Sequence, residues 1–250
     1  MIRWGTDSAV KLFHPRYEAL VDGELEQART VAGLGAPCPA VVGLVEHEGR
    51  RGIEYERVDG PLLLVAGRDR TDAVGWTAET LAAVHVAIHA IAVPDDAPLP
   101  DLHAWIGGYV DGLPAPARAV AVSHHERLPR GRRLCHLDLH PGNVIMAATG
   151  PVVVDWPNAC VGAPELDVAR SIALIAYQGA TDRDSAFQRR RLELAQRYRD
   201  AMVDVGGVDP DRVAAGLAFA ADAVRRDEPD NPFAPELRAL TPWSPDRSRP

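Results

Sequence analysis

The stretch His136-Leu137-Asp138-Leu139-His140-Pro141-Gly142-Asn143, followed a short loop later by Val152-Val153-Val154-Asp155-Trp156, concentrates side chains able to do chemistry. Asp138 lies five positions before Asn143 and Asp155 closes an apolar strand, so three oxygen-bearing groups can converge on one hydroxyl and one or two hard cations. Three chemistries compete for it. If the segment is extended, His136, Asp138 and His140 point to one side and could ligate a transition metal for hydrolysis, with Asp155 the only further ligand on offer. As a plain polar turn before a β-hairpin, two aspartates and an asparagine between apolar strands would be accidental. In phosphoryl transfer, Asp138 accepts or orients the proton of a substrate hydroxyl while Asn143 and Asp155 hold Mg²⁺ against the phosphates of ATP. Only this third chemistry predicts further parts: a lysine on an upstream strand, an acidic helix, and a strand leaving through a hinge into a helical lobe.

Each of those parts has a candidate. Ile2 to Trp4 and Ala9 to Phe13 read as strands around a Gly5-Thr6-Asp7-Ser8 turn, the second apolar on both sides of Lys11. Lys11 is the single lysine among 27 basic residues, the rest being arginine, which suits a place where a compact ammonium serves and a planar fork does not. Tyr17 to Leu34 carries a helical apolar stripe, with Gly33 and Gly35 as stop signals and Glu24 and Glu26 both able to pair with Lys11. Val41 to Glu46 and Ile53 to Val58 read as a hairpin joined by the five residues His47 to Arg51. Breaker residues then mark a lobe boundary at Asp59 and Gly60.

Beyond the boundary the pattern is helical: Ala78 to Ile91, Leu102 to Val122 with a break at Gly112 to Pro116, Val168 to Tyr177, Phe187 to Val203, and Val213 to Val224 begun by Asp209-Pro210. His85 and His89 are four apart without a HExxH glutamate or third ligand in view, and read as packing or surface residues. His124 and His125 read as exposed, and Asp167 as a helix cap. Residues 227–250 are rich in proline and charge, and little order is expected there apart from Pro235 to Leu240.

Bulk properties exclude several classes. A net charge of -8 argues against nucleic acid as the main partner and suits, weakly, a cationic small molecule. Cys38, Cys135 and Cys160 form no CxxC, so neither a disulfide framework nor a zinc knuckle is indicated and a reducing cytoplasm is expected. The longest apolar run, Leu81 to Val93, is interrupted by histidines and too short to span a bilayer. The sequence carries no signal for oligomeric state.

The spacing from His136 to Asn143 fits the kinase catalytic-loop pattern H-x-D-L-x-x-x-N. Together with Val152 to Trp156 and Ala163 to Arg170 it resembles the aminoglycoside phosphotransferase and choline kinase-like family, whose usual forms are H-G-D-L-H-P-G-N, I-D-W and a D-x-A helix. The resemblance runs from Ala9 to about Tyr177. It implies an α+β, protein kinase-like bilobal fold, with ATP between a small, N-terminally shortened antiparallel sheet lobe (1–59) and a larger helical lobe (60–226), followed by the tail (227–250). It further implies Lys11 and Glu24, in preference to Glu26, as the phosphate-positioning pair, Asp138 as catalytic base, and Asn143 and Asp155 as magnesium ligands. Adenine would meet the backbone from Glu56 to Val58, with Tyr55 at the back of its pocket. The implied activity is ATP- and Mg²⁺-dependent transfer of the γ-phosphate to a hydroxyl of a small molecule, aminoglycoside-like or another cationic metabolite.

Leu137 stands where the family usually has glycine, and Pro157-Asn158 where an acidic pair is common. Ten residues precede Lys11, and neither G-x-G-x-x-G nor a Walker A pattern occurs. A start upstream of Met1 or a shortened form would account for this. The rival expectation is accordingly a nucleotide-binding or scaffolding protein whose catalysis is impaired by loss of the loop over the phosphates.

Overall fold

The computed structural model of the chain describes residues 2–4, 6–241 and 243. Gly5 of the first expected turn and most of the end of the expected tail, residues 242 and 244–250, lie outside the described residues. The architecture is α+β and bilobal, with a four-stranded antiparallel sheet and one helix preceding a larger helical lobe.

In the smaller lobe, β1 (Ile2–Trp4), β2 (Ser8–Leu12), β3 (Val41–His47) and β4 (Arg50–Glu56) pair in the order β1-β2-β4-β3. The hairpin between β3 and β4 is tighter than expected. Its strands run on to His47 and Arg50, and Glu48-Gly49 turns the chain with φ of 50° and 70°. Positive φ at both central residues gives the twist that a two-residue hairpin requires, and Gly49 adopts it without strain. The expected helix over Tyr17 to Leu34 divides into a 3₁₀ segment, Pro15–Leu20, and α1, Val21–Gly33. Val21 and Leu25 of α1 bury against Phe13 and Ile53. Lys11 sits directly opposite Ile53 in the ladder, so it shares that face of the sheet and emerges beside α1.

The larger lobe opens with a short helix not foreseen in the sequence, α2 (Leu63–Ala66), then α3 (Ala73–His89). The break at Gly112 to Pro116 separates α4 (Leu102–Asp111) from α5 (Ala115–His125). Two small hairpin-like pairs follow: β5 (Arg133–Cys135) with β8 (Cys160–Gly162), and β6 (Val144–Ala147) with β7 (Gly150–Val153). Then come α6 (Pro164–Tyr177), α7 (Ala186–Asp204), α8 (Pro210–Asp227) and α9 (Ala234–Leu240). Asp209 caps α8 as expected, accepting from the amides of Asp211 and Arg212 at 2.9 and 3.3 Å.

Helix α6 is the pillar of this lobe. Ten of its fourteen residues are buried, which is the condition of a helix packed on all sides, here by α7, α8 and the strands at the catalytic loop. Its first turn begins at Pro164, so Asp167 lies inside the helix and is not its cap. The segment after α8 contains the foreseen helix as α9 and is anchored by the buried side chains of Phe233, Leu237 and Trp243. Among the described residues no helix is long and apolar enough to cross a membrane.

Candidate active site

β5 delivers the chain into the loop 136–143, and β6 and β7 carry it away and back to Asp155. The loop is not extended. Leu137 has φ of +59° and Asp155 +69°, both in the left-handed region. His136 is fully buried, with Nδ1 accepting from the Asp138 amide (3.1 Å) and Nε2 paired with the Val154 carbonyl (3.2 Å). His140 Nδ1 accepts from the Gly142 amide at 3.0 Å. The alternation needed for a His136-Asp138-His140 metal site is therefore absent, because both ring nitrogens of His136 hold the backbone of the loop.

Asp138 remains available. The Asn143 amide nitrogen donates to the Asp138 carbonyl (2.9 Å) and to its carboxylate (3.2 Å), which turns the Asn143 side-chain oxygen into the group able to meet a cation. Burial is the chief cause lifting the Asp138 carboxyl above its ordinary value; Asp155 lifts it too, while His140, Arg170 and Asn143 oppose.

From the sheet lobe, Lys11 Nζ donates to Glu24 Oε1 and Asp155 Oδ1, both at 2.6 Å. Glu26 is exposed, so of the two acids on α1 it is the buried Glu24 that Lys11 meets. Burial works against the charge on Lys11, but the bonds to Asp155 and Glu24 outweigh it and hold the ammonium more firmly protonated than usual. Lys11, Glu24, Tyr55, Glu56, Val58 and Asp155 together line a cavity of about 90 Å³ between the lobes, with Ala9 and Ile145 among its apolar walls. The Glu56 amide already donates to Ala40 O (2.8 Å) and the Arg57 amide to Asp7 O (2.9 Å). Of these three hinge amides, Val58's is the one without a hydrogen-bond partner among the described residues. Asp138 and Asn143 do not line this cavity.

Asp167 was missed as a functional residue. Fully buried, it accepts from the His136 amide (Oδ2, 2.8 Å) and the Leu137 amide (Oδ1, 2.8 Å), and from His85 Nε2 (2.8 Å) and His89 Nε2 (3.1 Å). His85 is in turn fixed by the Tyr198 hydroxyl. Although these three residues could in principle chelate a metal, the rings bond the carboxylate at hydrogen-bond length and the His136 and Leu137 amides bond it as well, so four donors already share its two oxygens. Burial opposes the charge on Asp167, yet His85 and His89 hold its carboxyl well below the usual range. Burial pushes His89 and His136 down to about 4, so both rings are neutral near pH 7. The signals in the sequence were the i,i+4 histidines and the D-x-A helix; only their meeting in space gives them a joint role. His124 and His125 are half-buried and not exposed, with His125 Nε2 bonded to the His103 carbonyl at 2.9 Å.

The model of the phosphotransferase enzyme family matches residues 3–215. A streptomycin 6-kinase of Streptomyces glaucescens is 28% identical over 229 residues, covering 86% of this chain and 68% of the relative. Among solved structures, a choline/ethanolamine kinase family protein from Mesorhizobium loti superposes with a TM-score of 0.56 at 17% identity, covering 94% of this chain and 82% of that one. An aminoglycoside phosphotransferase from Streptomyces rimosus, in complex with ADP and streptomycin, gives 0.54 at 18% identity, covering 84% and 85%. These likenesses show the protein kinase-like fold. The chain belongs to the phosphotransferase enzyme family, the small-molecule kinases that its catalytic loop resembles.

Proposed function

We propose that this member of the phosphotransferase enzyme family transfers the γ-phosphoryl group of Mg-ATP to a ring hydroxyl of a small molecule, the class of acceptor suggested by its kinship with a streptomycin kinase. The observation that carries the reading is the convergence of Lys11 from β2, Glu24 from α1 and Asp155 from the loop after β7 at 2.6 Å contacts, beside Asp138 and Asn143. Little covalent chemistry falls to the protein in phosphoryl transfer, so positioning and charge supply the rate.

In this reading Asp138 receives the proton of the acceptor hydroxyl, and its raised pKa favours that role. The side-chain oxygens of Asn143 and Asp155 are hard ligands of the kind Mg²⁺ takes, and would hold it. When bound, the ion neutralises charge on the transferred phosphates. Lys11, kept protonated and aimed by Glu24, would exchange its contact with Asp155 for phosphate oxygens. The Val58 amide would receive the adenine edge, with the Tyr55 ring behind it. At about 90 Å³ the cleft is smaller than the 300–1,000 Å³ of ordinary ligand pockets.

Two measurements test this. Titration with Mg-ATP should show saturable binding, and absence of binding would sink the reading. Asp138→Ala should lower turnover by about 10² to 10⁴-fold while leaving Mg-ATP affinity unchanged. Undiminished turnover would remove Asp138 from the role of base.

A further inference from the structure

A second cavity, of about 850 Å³, lies on the other side of the catalytic loop, with Leu137 in its wall. It is large enough for a drug-sized molecule. Its walls are largely apolar, and Trp105, Tyr109 and Phe219 supply aromatic surface from α4 and α8. Trp105 is 64% exposed, a large apolar surface left to water at the mouth of the cavity it lines.

The charges around this cavity are unequal in their commitments. Arg226 stacks on Tyr109 at 4.2 Å and pairs with the buried Asp222 at 3.3 Å, so its charge is already answered. Asp227 is an exposed carboxylate. Arg170, on the α6 helix that also carries Asp167, makes no ion pair among the described residues, and its Nη1 is buried without a hydrogen-bond partner. A buried guanidinium donor left unsatisfied is costly, and a planar fork is suited to two oxygens at once. With Arg226 answered by Asp222, the wall offers a guest the guanidinium of Arg170 and the carboxylate of Asp227, and Arg170 keeps a buried donor without a partner among the described residues, a place for a guest oxygen and not for a cation.

Resting on the phosphotransferase reading, we propose that this cavity receives the acceptor and that Arg170 selects it. The acceptor is a hydroxylated ring compound whose apolar face lies against Trp105 and Tyr109 and whose carboxylate or carbonyl oxygen meets Arg170, with no cationic substituent on that side. Charge is thus read within this cavity, in contrast to the overall acidity of the chain, which is a property of its outer surface.

Matched probes differing only in charge provide the test: 4-(hydroxymethyl)benzoate and 4-(hydroxymethyl)benzylamine, each titrated calorimetrically into the full chain with Mg-ADP present. The benzoate should bind about tenfold more tightly, the ratio expected for one charge-assisted contact. Arg170→Gln should compress that ratio to under about twofold and leave Mg-ADP affinity unchanged. Trp105→Ala, at an exposed position that does not endanger folding, should weaken both probes about fivefold. Equal or tighter binding of the amine, no binding of either probe up to about 10 mM, or indifference to Trp105→Ala would overturn the proposal. A protein that binds Mg-ADP but prefers the amine loses only this inference; one that binds no nucleotide loses the phosphotransferase reading itself.

Discussion

The two sides of the cleft between the lobes are built by different physics. On the catalytic-loop side, a buried carboxylate with four donors, Asp167, holds the backbone of His136 and Leu137, and the rings of His85 and His89 close around it. On the sheet side, one lysine bridges two carboxylates, its side chain 28% exposed and that of Asp155 41%. The buried network has no competitor for its bonds and is rigid; the bridge is reachable by water and by any phosphate. On the proposed reading, the loop that would place the base is preorganised, and the element that would admit and release nucleotide is held by exchangeable contacts.

Removing the centre of the rigid side should break this contrast most severely. Asp167→Ala orphans two amides and two histidines and should cost about 3 to 5 kcal/mol of stability, read as a lowered urea midpoint. A loss below about 1 kcal/mol would show the platform to be no more than a surface-like contact.

Acid and alkali should separate the two sides next. His89 and His136 have folded values near 4 against an ordinary 6.5, so the unfolded chain takes up their protons first as pH falls. Stability should therefore decline from about pH 6.5 to pH 4, by up to about 3 kcal/mol per ring. The contribution of Asp167, whose folded value is depressed, survives above its ordinary carboxylate range and is lost below it. Lys11 runs the other way: its folded value is raised, so its contribution is present below about pH 10.5 and disappears as the folded group deprotonates. Urea midpoints followed across pH check both signs, and a chain most stable near pH 4 would contradict them.

A smaller effect sharpens the account of the loop. Leu137 is buried yet held at φ +59°, where glycine is unstrained, whereas Leu139 is buried and is not among the positive-φ residues. Leu137→Gly should be about 1 to 2 kcal/mol milder than Leu139→Gly in equilibrium unfolding, because relief of backbone strain offsets part of the lost packing. Smallest of all should be Asp22→Asn, which removes the exposed pair with Arg51 at 2.6 Å and should leave the thermal midpoint within the scatter of repeat melts.

Much of this was legible in residue order. The spacing of Asp138, Asn143 and Asp155, the isolated Lys11 on an apolar strand, and the cap at Asp209-Pro210 are local patterns, and local patterns survive in one dimension. The hairpin loop is shorter than residue order suggests because Glu48 takes a positive φ that nothing in its side chain advertises. Taken singly, His85 and His89 read as packing or surface residues and Asp167 as a helix cap. Burial alone distinguishes a helix cap from a carboxylate threaded into the lobe's centre, and burial depends on what packs from elsewhere.

The chain's own sequence determined the chemistry on offer: which oxygens, which ammonium, and in what order along the chain. The tertiary structure decided which partner each would have. It chose Glu24 over Glu26 for Lys11, turned His136 from a prospective metal ligand into a brace for the loop, and held Leu137 where glycine is usual by fixing its amide to Asp167. It also left Arg170 Nη1 without a hydrogen-bond partner among the described residues, in the wall of the second cavity. The reason is physical: residue type sets what a group can bond, whereas the folded packing sets which bonds water no longer supplies.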